Sequence, residues 1–307
     1  MDYNRIVVCR GGGDLATGII HRLAKAGLQV VCLESERPSS IRRQVCFSEA
    51  VYDGETYVDG MKAVRVKNME DILTAWQKRE VPVLIDPKGE WIEELKPVAV
   101  VDAIIAKKNL GTYKDMAPFT IGVGPGFTAG SDVDVVIESM RGHNLGRVIT
   151  KGAAIANTGI PGKVGGYDKE RVIHASGAGY MKNISKIGDL VEKGQIIAEI
   201  YEDLSMTGEG VPVKATLNGI LRGLIRTGYH VSKGFKIADI DPRKEELENC
   251  FTISDKARCI AGSVLEVICG KLMEENSSLF LGRNPDEAQE STHDLYGCRQ
   301  QQTFSGE

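Results

Sequence analysis

Arg5-Ile6-Val7-Val8-Cys9-Arg10-Gly11-Gly12-Gly13-Asp14, with Ile19, Ile20 and Leu23 spaced behind it, sets the fold expected for the first half of this chain. The β-branched run predicts a buried strand. The three glycines predict a tight turn, Asp14 a helix N-cap, and Gly27 the end of that helix after Ala26. Leu28 to Leu33 then reads as a second strand closing on Glu34. Gly11, Gly13 and Ala16 satisfy G-x-G-x-x-A, with the acidic Glu34 downstream, which is the pattern of a dinucleotide-binding βαβ turn. In that reading Gly11, Gly12 and Gly13 present backbone N–H groups to a phosphate at a helix N-terminus, and Glu34 accepts from ribose hydroxyls. The other reading is a tight strand-to-helix turn that needs glycine without any ligand. Asp14 would repel a pyrophosphate unless it caps the helix.

Further along, residues 45–66 read as short strands and turns, and Met69 to Lys78 as a helix capped by Asn68. Val81 to Ile85 and Val98 to Ile105 read as further strands. Alternating strands and helices predict an α/β fold with a Rossmann-like, mostly parallel sheet, whose ligands bind at the carboxyl ends of the strands. Glu34, Asp86 and Lys107 fall at such ends, although Asp86 before Pro87 also fits a plain turn and Lys107 a solvated end. Phe119 to Gly130 carries Gly122, Gly124 and Gly126 around Pro125, a loop able to turn N–H groups toward an anion. Arg141-Gly142-His143-Asn144 follows. Arg141 can clamp a carboxylate or phosphate and His143 can move protons near neutral pH. Arg141 can equally pair with Asp132 or Asp134 in an ordinary polar loop. His143 and Asp102 are the catalytic candidates, with no role assigned to either. Lys163 after Gly159 and Gly162 does not have the P-loop spacing, and that reading is rejected.

The second half contains a duplication. Residues 178–200 realign on 218–240 at a fixed offset, with Gly179/Gly219, Gly188/Gly228, Val191/Val231, Lys193/Lys233, Gly194/Gly234, Ile197/Ile237, Ala198/Ala238 and Ile200/Ile240 identical. Such a repeat predicts two short-strand units packed face to face. The pattern resembles the biotinyl/lipoyl-like barrel-sandwich domain over roughly 170–243. The interval Tyr201 to Val211, where a carrier lysine would sit, has no lysine, so no covalent biotin or lipoate is expected. The expected domains are therefore 1–169, a Rossmann-like α/β domain; 170–243, a small all-β module; 244–275, a C-terminal helix packing on the first domain; and 276–307, a disordered polar tail.

Composition narrows the function. The chain has 307 residues, with 38 Lys plus Arg against 42 Asp plus Glu and a formal charge of −4. That balance lacks the basic footprint of many nucleic-acid binders, and no apolar run is long enough to span a membrane, so neither partner is expected. No secretory signal is visible at Met1-Asp2-Tyr3-Asn4-Arg5, which makes the cytoplasm the expected compartment. The seven cysteines form no CxxC pair and no Cys/His cluster, and no metal site is expected.

Three stretches resemble one family: Val101-Asp102-Ala103-Ile104-Ile105-Ala106-Lys107-Lys108-Asn109, Ile121-Gly122-Val123-Gly124-Pro125-Gly126-Phe127 and Arg141-Gly142-His143-Asn144-Leu145-Gly146-Arg147. They are similar to the YqeB family of selenium-dependent molybdenum hydroxylase system proteins, relatives of the XdhC/CoxI accessory factors. The resemblance implies a maturation factor that handles the molybdenum cofactor, or a nucleotide-like ligand, for a molybdenum hydroxylase apoenzyme. A small phosphorylated ligand would then be held by Gly11 to Gly13, Gly124 to Gly126, Lys107 and Arg141. The alternatives are an NAD(P)-dependent oxidoreductase, resting on the Gly11 turn and Glu34, and a non-enzymatic scaffold, resting on the lysine-less β module.

Overall fold

The computed structural model describes residues 5–159 and 162–281. Residues 1–265 form one compact unit and 266–307 a second. The first unit contains two β systems.

The larger is a sheet of nine strands. In chain order these are β1 (Ile6–Arg10), β2 (Gln29–Glu34), β3 (Glu55–Val58), β4 (Met61–Arg65), β5 (Val81–Ile85), β6 (Ala99–Asp102) and β7 (Thr120–Val123), then β9 (Val135–Ile137) and β10 (Val148–Ile149). The short β8 (Thr128–Ala129) pairs apart from them with β11 (Gly152–Ala153). The spatial order is β10-β9-β7-β6-β1-β2-β5-β4-β3. Helices α1 (Asp14–Lys25), α2 (Ala50–Asp53), α3 (Met69–Gln77) and α4 (Trp91–Leu95) accompany its first strands. As the spacing predicts, the Asn68 side chain caps α3 by accepting from the Asp71 N–H at 2.9 Å.

The smaller system is built from the repeat. Its strands are β12 (Val172–His174), β13 (Gly179–Asn183), β14 (Leu190–Val191), β15 (Ile196–Tyr201), β16 (Val211–Lys214), β17 (Gly219–Leu224), β18 (His230–Val231) and β19 (Lys236–Asp241). They form two antiparallel sheets, β12-β19-β17-β14 and β16-β15-β13-β18. The two copies exchange strands. β14 of the first copy pairs with β17 of the second, Val191 opposite Gly219, and β18 of the second pairs with β13 of the first, Val231 opposite Gly179. Both glycines are required at this crossing, because a Cβ on Gly179 would lie 2.3 Å from the Tyr201 carbonyl oxygen and one on Gly219 2.2 Å from that of Asp241. Met181, Ile197, Ile220, Leu221, Val231 and Ile237 from both copies fill one shared apolar core.

These arrangements correct the expected fold class. The large sheet is mixed and not a simple Rossmann-like alternation of strand and helix. Its outer strands β3 and β10 run antiparallel to their neighbours. Beyond β6 the connections to β7 and β9 contain no α-helix among the described residues. The Asp59-Gly60 turn explains the first edge, since both residues have positive φ (46° and 74°), the conformation of a tight two-residue hairpin. The repeat, in turn, forms two four-stranded sheets within the first compact unit in place of the expected small barrel-sandwich, biotinyl/lipoyl-like module. It is stitched to the first half. The Leu224 N–H donates to the Ile41 carbonyl at 2.8 Å, the Arg43 Nε donates to the Leu224 carbonyl at 2.8 Å, and Arg226 donates to Glu49 at 2.9 Å and to Asp53 at 2.8 Å.

The last helix, α5, covers Asp255–Leu281, so it starts where the apolar spacing within 244–275 begins and runs past the end of that stretch. Its start packs on α1, where a Cβ at Gly18 would lie 2.7 Å from the Ala257 Cβ. The tail proposed as disordered lies outside the described residues from 282 onward. No helix among the described residues is long and apolar enough to cross a membrane.

Candidate functional site

The glycine turn after β1 carries its own acceptors. The Gly11 N–H donates to the Leu33 carbonyl at 2.7 Å, and the Gly12 N–H donates to Glu34 Oε2 at 2.8 Å. Glu34 Oε1 accepts from the Ser35 N–H at 2.7 Å, so each carboxylate oxygen already accepts one backbone N–H. The Gly12 carbonyl accepts from the Ser48 N–H at 2.9 Å and the Thr17 hydroxyl at 3.1 Å, and a Cβ on Gly12 would crowd the Ser48 nitrogen at 2.9 Å. Gly13 is the residue that precedes α1, and Asp14 accepts from Arg42 at 3.1 Å. Gly11 and Gly12 serve close packing of chain on chain, whereas a Cβ on Gly13 would meet only the Ser40 hydroxyl at 3.8 Å.

The second glycine stretch lies at the same edge of the sheet, since β6 alone separates β1 from β7. The chain after β6 fills the space between the two turns. A Cβ on Gly11 would meet the Ile104 Cα at 3.0 Å, and one on Gly126, where φ is +116°, would meet the Lys108 backbone at 2.8 Å. Gly122 is closed by the Phe127 ring and Gly124 by the Ser139 side chain. Lys107 is exposed and left-handed, with φ of 63°. Asp102 is 2% exposed, accepts from Thr112 Oγ1 at 2.6 Å and the Ile104 N–H at 3.1 Å, and lies 3.8 Å from Arg10. Burial raises its pKa above the ordinary carboxylate range, and its bonds pin the 103–112 loop to the sheet. His143 is exposed in the loop after β9. The two turns therefore share an edge of the sheet, with Ile104 against the first and Lys108 against the second.

Of the candidate site residues named from the sequence, Arg141 alone lines the cavity that the fold builds between the loops after β9, β11 and β19, the strand β17 and the start of α5; Lys163, set aside there as a P-loop lysine, lines it too. The cavity measures about 470 Å³. Five cations line it, Arg141, Lys163, Arg222, Arg243 and Arg258, with a single carboxylate, Asp255. A low-dielectric cleft lined by one sign of charge concentrates counter-ions.

Arg222 is the centre of this arrangement. It lies on β17 at a break in register against β19, between Leu221 and Gly223. Such a bulge re-aims the side chain it carries. The equivalent residue in the first copy, Lys182, sits in unbroken register opposite Glu199, so the duplication loses its symmetry at this position. The Arg222 side chain is 14% exposed, its nearest carboxylate is Asp241 at 4.0 Å, and its buried Nε has no hydrogen-bond partner. Burial first, and then the charge of Arg42, lower its pKa against the pull of Asp239 and Asp241. Asp241 is held chiefly by Arg243, which donates to it at 2.9 and 2.8 Å, while Asp239 is held by Arg171 at 3.1 Å. Arg141 donates both guanidinium nitrogens to Asp255 at 2.8 Å each. Among the described residues, Lys163 and Arg258 have no ion-pair partner.

Lys163, Arg222, Arg243 and Arg258 were not legible as a site in the sequence. They lie in four separate segments, of which only that of Arg222 belongs to the repeat. The one local signal is the departure of Arg222 from the repeat, where the offset places it against Lys182. Among the described residues no group of three or more His, Cys, Asp or Glu side chains is placed to hold a metal ion.

Comparison with known proteins gives one sequence relative of note. The chain is 48% identical over 266 residues to the uncharacterized protein YqeB of Escherichia coli strain K12, which accounts for 86% of this chain. The chain spans 47% of that relative's length. No family model matches. Among solved structures, the ectoine utilization protein EutE (DoeB) of Ruegeria pomeroyi aligns over 77% of this chain and 85% of its own, at 11% identity and a TM-score of 0.26. A succinylglutamate desuccinylase from Silicibacter sp. aligns over 77% and 84%, at 11% and 0.26. An aspartoacylase family protein from Mesorhizobium loti aligns over 77% and 86%, at 7% and 0.25. Scores at this level carry no inference about activity. None of these names is that of a molybdenum, selenium, dinucleotide-binding or lipoyl-type protein. The expectation of a Rossmann-like part with a lipoyl-like module is corrected by the sheets described above, while the molybdenum, selenium and XdhC parts of the expected description gain no support from these comparisons.

Proposed function

We propose that this chain, which is 48% identical to YqeB over 266 residues, binds a phosphate-bearing, nucleotide-like small molecule in the cavity of Arg141, Lys163, Arg222, Arg243 and Arg258. The observation that carries the reading is Arg222: a bulge aims it, burial holds it, and its Nε lacks an acceptor. A phosphate oxygen supplies that acceptor and the missing negative charge, and charge-assisted bonds of this kind are among the strong ones. Arg258 and Lys163 offer further donors without first having to leave a carboxylate. The cavity is of the size that holds a small ligand, within the roughly 300–1,000 Å³ of such sites.

In this reading the guest does not rest on the amides of the Gly11–Gly13 turn. The NAD(P) alternative depends on the amides of that turn, and those of Gly11 and Gly12 already donate to Leu33 and Glu34. An accessory protein that carries a phosphorylated guest to another protein, the role the resemblance implies, needs a binding site of this kind.

Isothermal titration with pyrophosphate, AMP, ADP and NAD tests the proposal. Binding of at least one phosphate ligand, weakening as salt rises and at least tenfold weaker in Arg222→Gln, supports it. Absence of binding at millimolar ligand, or binding unchanged in Arg222→Gln, contradicts it.

A further inference from the structure

Within the same cavity one anion is already in place, and it belongs to the chain. Asp255 faces Arg141 as a two-pronged carboxylate, each oxygen 2.8 Å from a different guanidinium nitrogen. That is the geometry in which arginine takes a phosphate. The Arg141 hydrogen bonds draw the Asp255 pKa well below the usual range, so it remains a carboxylate at any working pH. The pair is not locked in the interior, since the two side chains are 46% and 67% exposed. Exposed pairs contribute little, about 0–1 kcal/mol. Asp255 also has somewhere to go. It stands in the first turn of a long helix, α5, where the unpaired N–H groups favour a negative charge whether or not Arg141 is engaged.

We propose that Asp255 occupies the place of a ligand phosphate on Arg141, so that the guest binds by displacing this carboxylate and the pair sets which anions enter. The inference rests on the reading of the cavity as a phosphate site and concerns how that site is gated. A monoanion such as chloride or acetate offers Arg141 no more than Asp255 already does. A phosphate dianion offers more charge and three oxygens, and it reaches Arg222 and Arg258 at the same time. The device therefore selects multiply charged anions at the expense of absolute affinity.

The probe is inorganic pyrophosphate, titrated by calorimetry into the full chain, into Asp255→Asn, into Arg141→Gln and into the double variant, with thermal melts confirming that each is folded. Asparagine keeps the shape and the helix-start preference of aspartate and removes the charge. The expected result is a gain in affinity of about fivefold in Asp255→Asn, which corresponds to the ~1 kcal/mol ceiling of an exposed pair. The gain disappears when Arg141→Gln is added. Acetate at high concentration competes with pyrophosphate in Asp255→Asn and not in the parent. If the parent binds pyrophosphate and Asp255→Asn binds equally or more weakly, Asp255 is no competitor and this inference alone falls. If neither binds, the cavity is not a phosphate site and both readings fall together.

Discussion

Replacing Arg222 by methionine keeps the length of the side chain and removes its charge, which separates what this residue does for a ligand from what it does for the fold. A ligand present at a hundred times its Kd stabilises the native state by about 2.7 kcal/mol. In a unit of this size each kcal/mol moves Tm by roughly 2–4 °C, so the parent should gain about 5–10 °C with saturating pyrophosphate. A charge-assisted bond at Arg222 contributes on the order of 2 kcal/mol, and its loss weakens binding about thirtyfold. The same pyrophosphate concentration then stands at about three times the Kd of the variant. The stabilisation falls to about 0.9 kcal/mol and the shift to about 2–3 °C. Without ligand the variant should melt within about 2 °C of the parent or above it, because the charge removed is buried beside Arg42 and lies 4.0 Å from its nearest carboxylate. Differential scanning fluorimetry at two or three pyrophosphate concentrations reads all of this. A variant that shifts as far as the parent would refute the assignment of Arg222 to the ligand, and a variant that melts far lower without ligand would refute the view of it as an under-neutralised cation.

The strand exchange makes a paired prediction: Gly179→Ala and Gly219→Ala should each cost about 3 kcal/mol or more by chemical denaturation, because the new Cβ would overlap a carbonyl oxygen at 2.3 and 2.2 Å. Gly177→Ala, with nothing within 4 Å of its Cβ, is the control and should change stability by less than about 0.5 kcal/mol. Arg226→Met should cost about 1–3 kcal/mol at pH 7, since it takes away a partner of the buried Glu49 as well as that of Asp53. Burial already raises the Glu49 pKa against the pull of Arg43 and Arg226, and a raised carboxylate favours the folded state at low pH and costs it stability as pH rises through the folded value. The Arg226→Met penalty should therefore be smaller at pH 4 than at pH 7, and denaturant curves showing the reverse order would contradict the assignment.

Local chemistry carried the sequence reading where neighbours in sequence are neighbours in space. The β1–α1–β2 unit, the Asn68 cap and the repeat could be read because strand period, capping and offset identity act over short stretches. The edge strand β3 was visible only in part, for Asp59-Gly60 is a hairpin signal with few residues around it to support it. The glycine turns are ambiguous in sequence for a physical reason. A glycine that lets a phosphate approach the backbone and one that lets another chain segment approach it look the same in sequence, and at Gly12 and Gly126 the partner is Ser48 and Lys108. The cavity was illegible because its cations are drawn from five separate segments and Arg222 owes its direction to a bulge, which arises from pairing across strands. Arg141 was picked out for its chemistry, and its carboxylate is Asp255, across the fold, in place of the sequence-near Asp132 or Asp134.

A crystal structure of the chain grown with pyrophosphate decides between the arginine cavity and the first glycine turn. Phosphate oxygens are expected within hydrogen-bond distance of Arg222 and Arg258, with Asp255 moved off Arg141 and Glu34 still bonded to the Gly12 amide. A pyrophosphate seated over Gly11 to Gly13 with Glu34 turned away, and nothing bound beside Arg222, would contradict it.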